Sequence, residues 1–204
     1  MRFQRYILNE DYMDLQPFID TLKKDCGPFL SVLKSSNTFL YRGFWVKGEK
    51  RKELHKCETG IVYFKSKPKK DRKPKDMERA DHDELNELLK KKFGWKPRSQ
   101  GVFATGDQSE AGAYGDDFLF FPIGEFKYVW SRDIKDLFQY IRDKREKESI
   151  EPDFQEIVDT YTDKDIIGAI KKGHELSIKC SSYYAVFEAS VRNTKKEFMR
   201  MLIK

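Results

Sequence analysis

The chain has little that would direct it to a membrane or to a disulfide-linked extracellular fold. Its first residues, MRFQRYILNEDYMDLQ, contain no uninterrupted apolar segment of the length that a signal peptide needs, and no later run approaches the roughly 20 apolar residues of a spanning helix. The three cysteines, Cys26, Cys57 and Cys180, are widely spaced and form no CxxC pair. We therefore expect an intracellular protein with free thiols and no membrane partner.

Several enzyme signatures are also missing. The sequence has no GxSxG elbow, no phosphate-binding loop and no GxGxxG, the motifs of serine hydrolases, nucleoside triphosphatases and dinucleotide-fold dehydrogenases. Its three histidines show no HExxH or similar spacing, and His55 with Cys57 is too little to predict a zinc site. We set these classes aside and expect no metal.

One short stretch carries the excess of positive charge. The formal net charge of the 204 residues is +6, and the segment KSKPKKDRKPK (65–75) alone has seven basic residues and one acidic residue. It contains Pro68 and Pro74 and no apolar residue, which predicts an exposed basic loop over residues 65–76. Such a loop is either an ordinary solvated segment or an arm that contacts nucleic acid or an acidic partner. The candidate contact residues are Lys67, Lys69, Lys70, Arg72, Lys73 and Lys75.

Hydrophobic spacing predicts helices at both ends of the chain and strands between them. We expect an N-terminal helical segment (1–36) that packs on the core, a core over residues 37–190 and a C-terminal helix (191–204). The strand patterns are FLYRG (39–43), IVYFK (61–65), GVFAT (101–105), DFLFFPI (117–123), FKYVW (126–130), and ELSIKC with YYAVFEA near the end. Asp81 and Glu84 resemble a capping pair before a helix that ends at Gly94, and a second helical pattern spans 134–141. This order predicts an α+β domain rather than an alternating parallel sheet.

Polar residues stand at the ends of several predicted strands. Arg42 follows the aromatic run of FLYRGF, where an unpaired charge is costly to bury, so it should reach water or meet an anion. The segment RSQGVFATG (98–106) has a polar end and is followed by Ala113-Tyr114-Gly115. Gly173-His174-Glu175 opens a late strand. The same few residue types thus recur where strands end.

In this order the motifs resemble those of ADP-ribosyltransferases of the Arg/Ser/Glu class. The chain looks most like uncharacterised proteins of tailed bacteriophages that share YRG, RSxGVFATG, YG and a late E-L/M-x-I-x-C-x-x-YY pattern, over about residues 20 to 187. The resemblance implies an ADP-ribosyltransferase-like split mixed β-sheet core with flanking helices, with NAD as co-substrate. It also implies a phage protein that modifies a host protein or nucleic acid in the host cytoplasm, or that travels in the virion.

The resemblance implies a role for each strand-end residue. Glu175 would stabilise the oxocarbenium-like state that forms when the nicotinamide glycosidic bond of NAD breaks. Arg42, followed by Gly43, would bind NAD through its planar charged fork. Thr105 would contact NAD and hold the glutamate in place, and Tyr114 would stack on the nicotinamide ring.

Two departures from the family pattern leave alternatives open. The middle strand usually ends Ser-Thr-Ser, and Ala104 stands here in place of the expected serine. Arginine-modifying members carry a second acidic residue two places before the catalytic glutamate, where this chain has Gly173, so the acceptor is another amino acid, a nucleic acid or absent. The alternative function is a catalytically inactive transferase-like protein that binds a partner or the virion through the basic loop. A purely structural role of Arg42, Tyr114 and Glu175 also stays open.

Overall fold

The computed structural model describes residues 11–56, 60–74 and 77–204, and the fold is α+β. In this part of the chain the strands form one sheet, ordered β1-β3-β7-β4-β2-β5-β6, in which β5 also pairs with β7. The strands are β1 (Asp11–Met13), β2 (Tyr41–Phe44), β3 (Ile61–Ser66), β4 (Val102–Thr105), β5 (Asp116–Ser131), β6 (Tyr161–Thr162) and β7 (Glu175–Phe187). Strands β2, β4, β7 and β5 therefore form a closed ring of neighbours.

Helices precede, follow and connect the strands. They are α1 (Leu15–Asp25), α2 (Gly27–Ser36), α3 (Glu49–Lys56), α4 (Arg79–Phe93), α5 (Pro97–Gln100), α6 (Gln108–Gly112), α7 (Leu137–Glu146), α8 (Phe154–Asp159), α9 (Ile166–Lys172), α10 (Glu188–Val191) and α11 (Lys195–Ile203), with a 3₁₀ turn at Arg192–Thr194. None of the helices in the described residues is both long and apolar enough to cross a bilayer.

The sheet differs from the expected mixed sheet, because every pairing between the described strands is antiparallel. Strands joined by a helical connection are not always neighbours in the sheet: β3 and β4 both pair with β7, so the connection between them leads the chain back to the end at which β3 began. The patterns at 117–123 and 126–130 belong to one strand, β5, whose register against β7 shifts between Ile123 and Phe126. Gly124, at φ 67°, permits this irregularity between the two predicted strands.

The capping pair expected at Asp81 and Glu84 is wrong. Helix α4 begins at Arg79, so Asp81 lies within its first turn, where it is buried and accepts a hydrogen bond from Arg145 Nη1 at 2.6 Å. The helix ends as expected at Gly94, which adopts the left-handed conformation (φ 77°). Asp81 therefore joins α4 to α7 instead of capping α4.

Two apolar cores support the sheet. The larger packs α1, α2 and α11 against the sheet, with Phe18, Phe29, Phe121 and Phe198 all fully buried. The smaller packs α4, α7 and α8 against the last residues of β5 around Val129. Strand β5 therefore contributes residues to both cores.

Candidate functional site

Three of the motif strands meet at one end of the sheet. Thr105, the last residue of β4, lies opposite Glu175, the first residue of β7, and opposite Tyr41, the first residue of β2. Directly opposed residues project from the same face of a sheet, so the Thr105 and Glu175 side chains are neighbours. Phe103 and Ser177 form the next pair on that face. Residues distant in the sequence thus share one strand end.

The Glu175 carboxylate is held inside this strand end. Arg98 Nη1 donates to Glu175 Oε1 at 2.8 Å, and the Glu175 backbone N–H donates to the Lys135 carbonyl at 2.8 Å. The other carboxylate oxygen, Oε2, accepts no hydrogen bond from the described residues. Burial raises the pKa of the Glu175 carboxyl. The positive charge of Arg98 opposes this shift, the negative charge of Asp136 adds to it, and the positive charge of Arg72 opposes it. The side chain keeps 20% of its surface exposed, so a ligand can reach it.

The residues around Arg98 fix its position independently of Glu175. It lies in the single turn of α5 behind Pro97, where its backbone N–H donates to Asn86 Oδ1 at 2.9 Å. Asn86 in turn donates to Ser99 Oγ at 2.9 Å. The guanidinium carbon is 4.4 Å from the centroid of the Phe103 ring, and the Arg98 residue is only 6% exposed. A buried arginine with a fixed geometry can hold a carboxylate in one orientation.

Thr105 fixes the turn that precedes Glu175. Its hydroxyl donates to the Gly173 carbonyl oxygen at 2.7 Å and accepts a hydrogen bond from the Asp107 N–H at 3.1 Å. Gly173 ends α9 in the left-handed conformation, φ 70°, and a Cβ there would press on the Asp107 side chain. Asp107 is also the N-cap of α6. The threonine therefore joins the end of β4 to the start of β7.

Arg42 approaches the same strands from the other face. Since Tyr41 shares its face with Thr105, the next side chain along β2 leaves the strand on the opposite side. Arg42 Nη1 donates to the Phe103 carbonyl at 2.6 Å, and the guanidinium carbon is 4.9 Å from the centroid of the Phe44 ring. Its Nε is buried without a hydrogen-bond partner, and no described carboxylate lies within salt-bridge distance. Arg42 thus carries a half-buried charge that its described neighbours do not neutralise.

Gly43 lets helix α6 approach the strand closely. A Cβ at Gly43 would overlap the Ala111 carbonyl oxygen and contact the Tyr114 backbone. Tyr114 is 45% exposed, and its hydroxyl donates to Asp136 Oδ2 at 2.8 Å. The tyrosine forms part of the wall of a groove of about 430 Å³ between α6 and α7. Gly43 and Tyr114 are therefore in contact, and Asp136 links them to the surroundings of Glu175.

The basic loop is attached to the Glu175 side of the molecule. The Arg72 N–H donates to the Ser99 carbonyl at 2.9 Å, and the Arg72 guanidinium carbon is 3.6 Å from the Phe103 ring centroid. The exposed lysines of the loop are Lys67, Lys69, Lys70 and Lys73. Lys75, also expected to contact nucleic acid, lies outside the described residues. The loop is therefore exposed at its first lysines and comes back into contact with α5 and β4 at Arg72.

A second cavity, of about 330 Å³, lies between the start of β5 and α10. His55 Nε2 lies 3.0 Å from Asp116 Oδ1 in its wall, and Arg51 also pairs with Asp116. Cys57, considered with His55 as a weak metal pair, is outside the described residues. Within 11–56, 60–74 and 77–204 no group of three or more potential ligands could hold a metal ion. His55 therefore has a described carboxylate partner.

The sequence motifs did not identify Arg98 and Phe103 as site residues. Arg98 stands in RSQGVFATG, and its position four residues before the strand was the available signal. A buried arginine requires an anionic or hydrogen-bonding partner, which the fold supplies as Glu175. We name the set of Arg72, Arg98, Phe103, Thr105 and Glu175 the Glu175 cluster.

In comparisons with known proteins, no family model, no curated protein and no solved structure matches this chain. Its function must therefore be inferred from the fold and from the Glu175 cluster.

Proposed function

We propose that this protein is an NAD-dependent ADP-ribosyltransferase with an ADP-ribosyltransferase-like split sheet. The observation that carries the proposal is the position of Thr105 directly opposite both Tyr41 and Glu175. The YRG, GVFAT and late glutamate motifs are therefore adjacent at one strand end, although they are far apart in the chain. A shared strand end with polar residues is a suitable place for a substrate.

Glu175 supplies the charge that the reaction needs. When the bond between nicotinamide and ribose C1′ breaks, nicotinamide leaves with the bonding electrons and C1′ develops positive charge. A fixed carboxylate stabilises that charge more than it stabilises the uncharged sugar, which lowers the barrier. Arg98 holds Oε1 of Glu175 and leaves Oε2 for a substrate hydroxyl.

Gly43 and Tyr114 are assigned to NAD binding. The sequence also assigned Arg42 to NAD, but its side chain leaves β2 on the face opposite Thr105 and Glu175 and its Nη1 donates to the Phe103 carbonyl, so we leave Arg42 out of the proposed site. The half-exposed ring of Tyr114 offers an aromatic surface for the nicotinamide. The phage-like motifs extend the proposal to a phage enzyme that modifies a host macromolecule in the host cytoplasm or enters with the virion.

A second candidate is a catalytically inactive transferase-like protein that binds a partner through its basic loop. Two observations favour it: Ala104 replaces the serine of the family pattern, and Glu175 is already engaged by Arg98. In this case the Arg98–Glu175 pair stabilises the fold and takes no part in chemistry.

Labelled NAD separates the two candidates. Purified protein is incubated with NAD that carries one label on nicotinamide and another on the adenylate, with and without bacterial lysate. The enzyme releases nicotinamide and transfers the adenylate label to a macromolecule. Release no faster than from a protein-free blank in both incubations, by protein that is folded by circular dichroism, supports the inactive candidate.

A further inference from the structure

The basic loop ends inside the Glu175 cluster. Its backbone is tied to α5 by the Arg72 N–H, which donates to the Ser99 carbonyl at 2.9 Å. The Arg72 guanidinium carbon lies 3.6 Å from the centroid of the Phe103 ring, and Arg98 packs against the same ring. Arg72 is also close enough to Glu175 to influence its electrostatics. The loop is thus anchored beside the proposed catalytic carboxylate.

The exposed part of the loop presents a concentrated positive surface. Its lysines Lys67, Lys69, Lys70 and Lys73 lie within seven residues of the sequence, and that segment contains one acidic residue, Asp71. Lys65, at the end of β3, instead contacts Asp25 at 4.0 Å and packs on the Tyr184 ring. The loop between Lys67 and Lys73 therefore leads a strip of positive charge to the rim of the Glu175 cluster. Closely spaced lysines match the regular charges of a nucleic-acid backbone.

We propose that the acceptor of the ADP-ribose is a nucleic acid, bound by Lys67, Lys69, Lys70 and Lys73 so that a base or sugar reaches Glu175. This inference rests on the proposed function. Position 173 is consistent with it, because glycine in the left-handed conformation next to Asp107 leaves no room for the second acidic side chain of arginine-modifying members. The loop supplies affinity through phosphate contacts and does not select a sequence.

The transfer step is balanced without a further reactant. The C1′–nicotinamide bond breaks, and nicotinamide takes the electron pair. A nitrogen or oxygen of the nucleic acid donates a lone pair to C1′, forms the new glycosidic bond and loses its proton to solvent. Water reacts in the same way when no acceptor is bound, so nicotinamide release measures cleavage and label transfer measures acceptor use.

The test compares two variants that remove equal charge. In the loop variant Lys67, Lys69, Lys70 and Lys73 are changed to Gln; in the control the exposed helical lysines Lys23, Lys24, Lys34 and Lys196 are changed to Gln. Each protein is titrated with fluorescent single-stranded DNA, single-stranded RNA and duplex DNA at several salt concentrations. Each is then given adenylate-labelled NAD with the same nucleic acids or with nuclease-treated lysate protein.

We expect wild type and control to label at least one nucleic acid, with a label that survives protease and is lost with nuclease. The loop variant should lose at least about tenfold in transfer, far more than it loses in nicotinamide release. The slope of log affinity against log salt should fall by about 3, since each lost phosphate contact removes roughly 0.7 to 0.9 from it.

Two results overturn the acceptor inference without contradicting the proposed enzyme. In the first, nicotinamide is released but the label is found only on protein or on nothing. In the second, the loop variant retains full transfer to nucleic acid. Absence of nicotinamide release from the wild type under every condition contradicts the proposed function itself, and the acceptor inference fails with it.

Discussion

Thr105 and Glu175 are direct cross-strand partners, and the Thr105 hydroxyl binds the carbonyl two residues before the glutamate at 2.7 Å. One side chain therefore fixes both the end of β4 and the turn from which Glu175 enters its strand. If Glu175 acts on a substrate, its position depends on this hydrogen bond as well as on Arg98.

Replacing Thr105 with valine tests that dependence. Valine keeps the branched shape and the strand preference but leaves the Gly173 carbonyl and the Asp107 N–H without their partner. We expect a loss of about 1–2 kcal/mol in unfolding free energy by urea denaturation, together with slower nicotinamide release. Thr105→Ser should restore both, because it returns the hydroxyl. Wild-type stability and release in the valine variant would show that the contact is dispensable.

The Arg98→Met variant should change the pH dependence of nicotinamide release. The reaction requires ionised Glu175, whose pKa burial raises and Arg98 lowers. Removing the guanidinium raises the pKa further, so protonation and loss of activity begin at a higher pH as the solution is acidified. The measurement is the acid limb of kcat/KM, with Arg79→Met at an exposed position of α4 as the matched control. If the acid limb lies at the same pH in Arg98→Met and in wild type, Arg98 does not control the ionisation of Glu175 in the reaction.

Gly43→Ala should destabilise the fold, because its Cβ would overlap the Ala111 carbonyl oxygen. Relief of the overlap must move α6 away from β2, and we expect a cost of about 1–3 kcal/mol by analogy with overpacked cores. Gly27→Ala at the start of α2 is the control, since a Cβ there meets nothing within 4 Å. Thermal unfolding should show a lower Tm for the first variant and an equal or higher Tm for the second. If the two variants have equal Tm values, α6 moves away from β2 without a measurable loss of stability.

Two variants of Tyr114 distinguish the contribution of its ring to NAD binding from that of its hydroxyl. Tyr114→Phe removes the hydrogen bond to Asp136 and keeps the aromatic surface, whereas Tyr114→Ala removes both. If the ring stacks on nicotinamide, the alanine variant should raise KM for NAD by about fivefold or more while phenylalanine changes it little. A KM that rises equally in both variants would instead assign the effect to the hydroxyl.

The sequence predicted the elements of the site better than their arrangement. GVFAT and ELSIKC have the residue types of strands, and both form strands. Their register, with Thr105 opposite Glu175, depends on the turn between α9 and β7 that Gly173 and Asp107 shape, so no local pattern reports it. The antiparallel sheet was missed for the same reason, because strand direction is determined by how long connections return.

Arg98 and Arg72 show a second limit. Both are basic residues in polar segments, where solvent exposure is the usual expectation. Arg98 is buried because α5 is a single turn held by Asn86, and Arg72 lies on Phe103 because the loop returns to Ser99. These contacts join segments that are separate in the chain, so they become visible only in the folded structure.

Nicotinamide release from NAD by wild type and by Glu175→Gln, measured side by side, tests the central claim most directly. Glutamine keeps the size of the side chain but removes its charge, so release should fall by about 100-fold or more, while the shift of Tm with NAD stays close to that of wild type. Glu197→Gln, at an exposed position of α11, should behave as wild type in both measurements. Equal release by wild type and Glu175→Gln, or release by wild type no faster than a protein-free blank, would contradict the assignment of Glu175 as the catalytic residue of an ADP-ribosyltransferase.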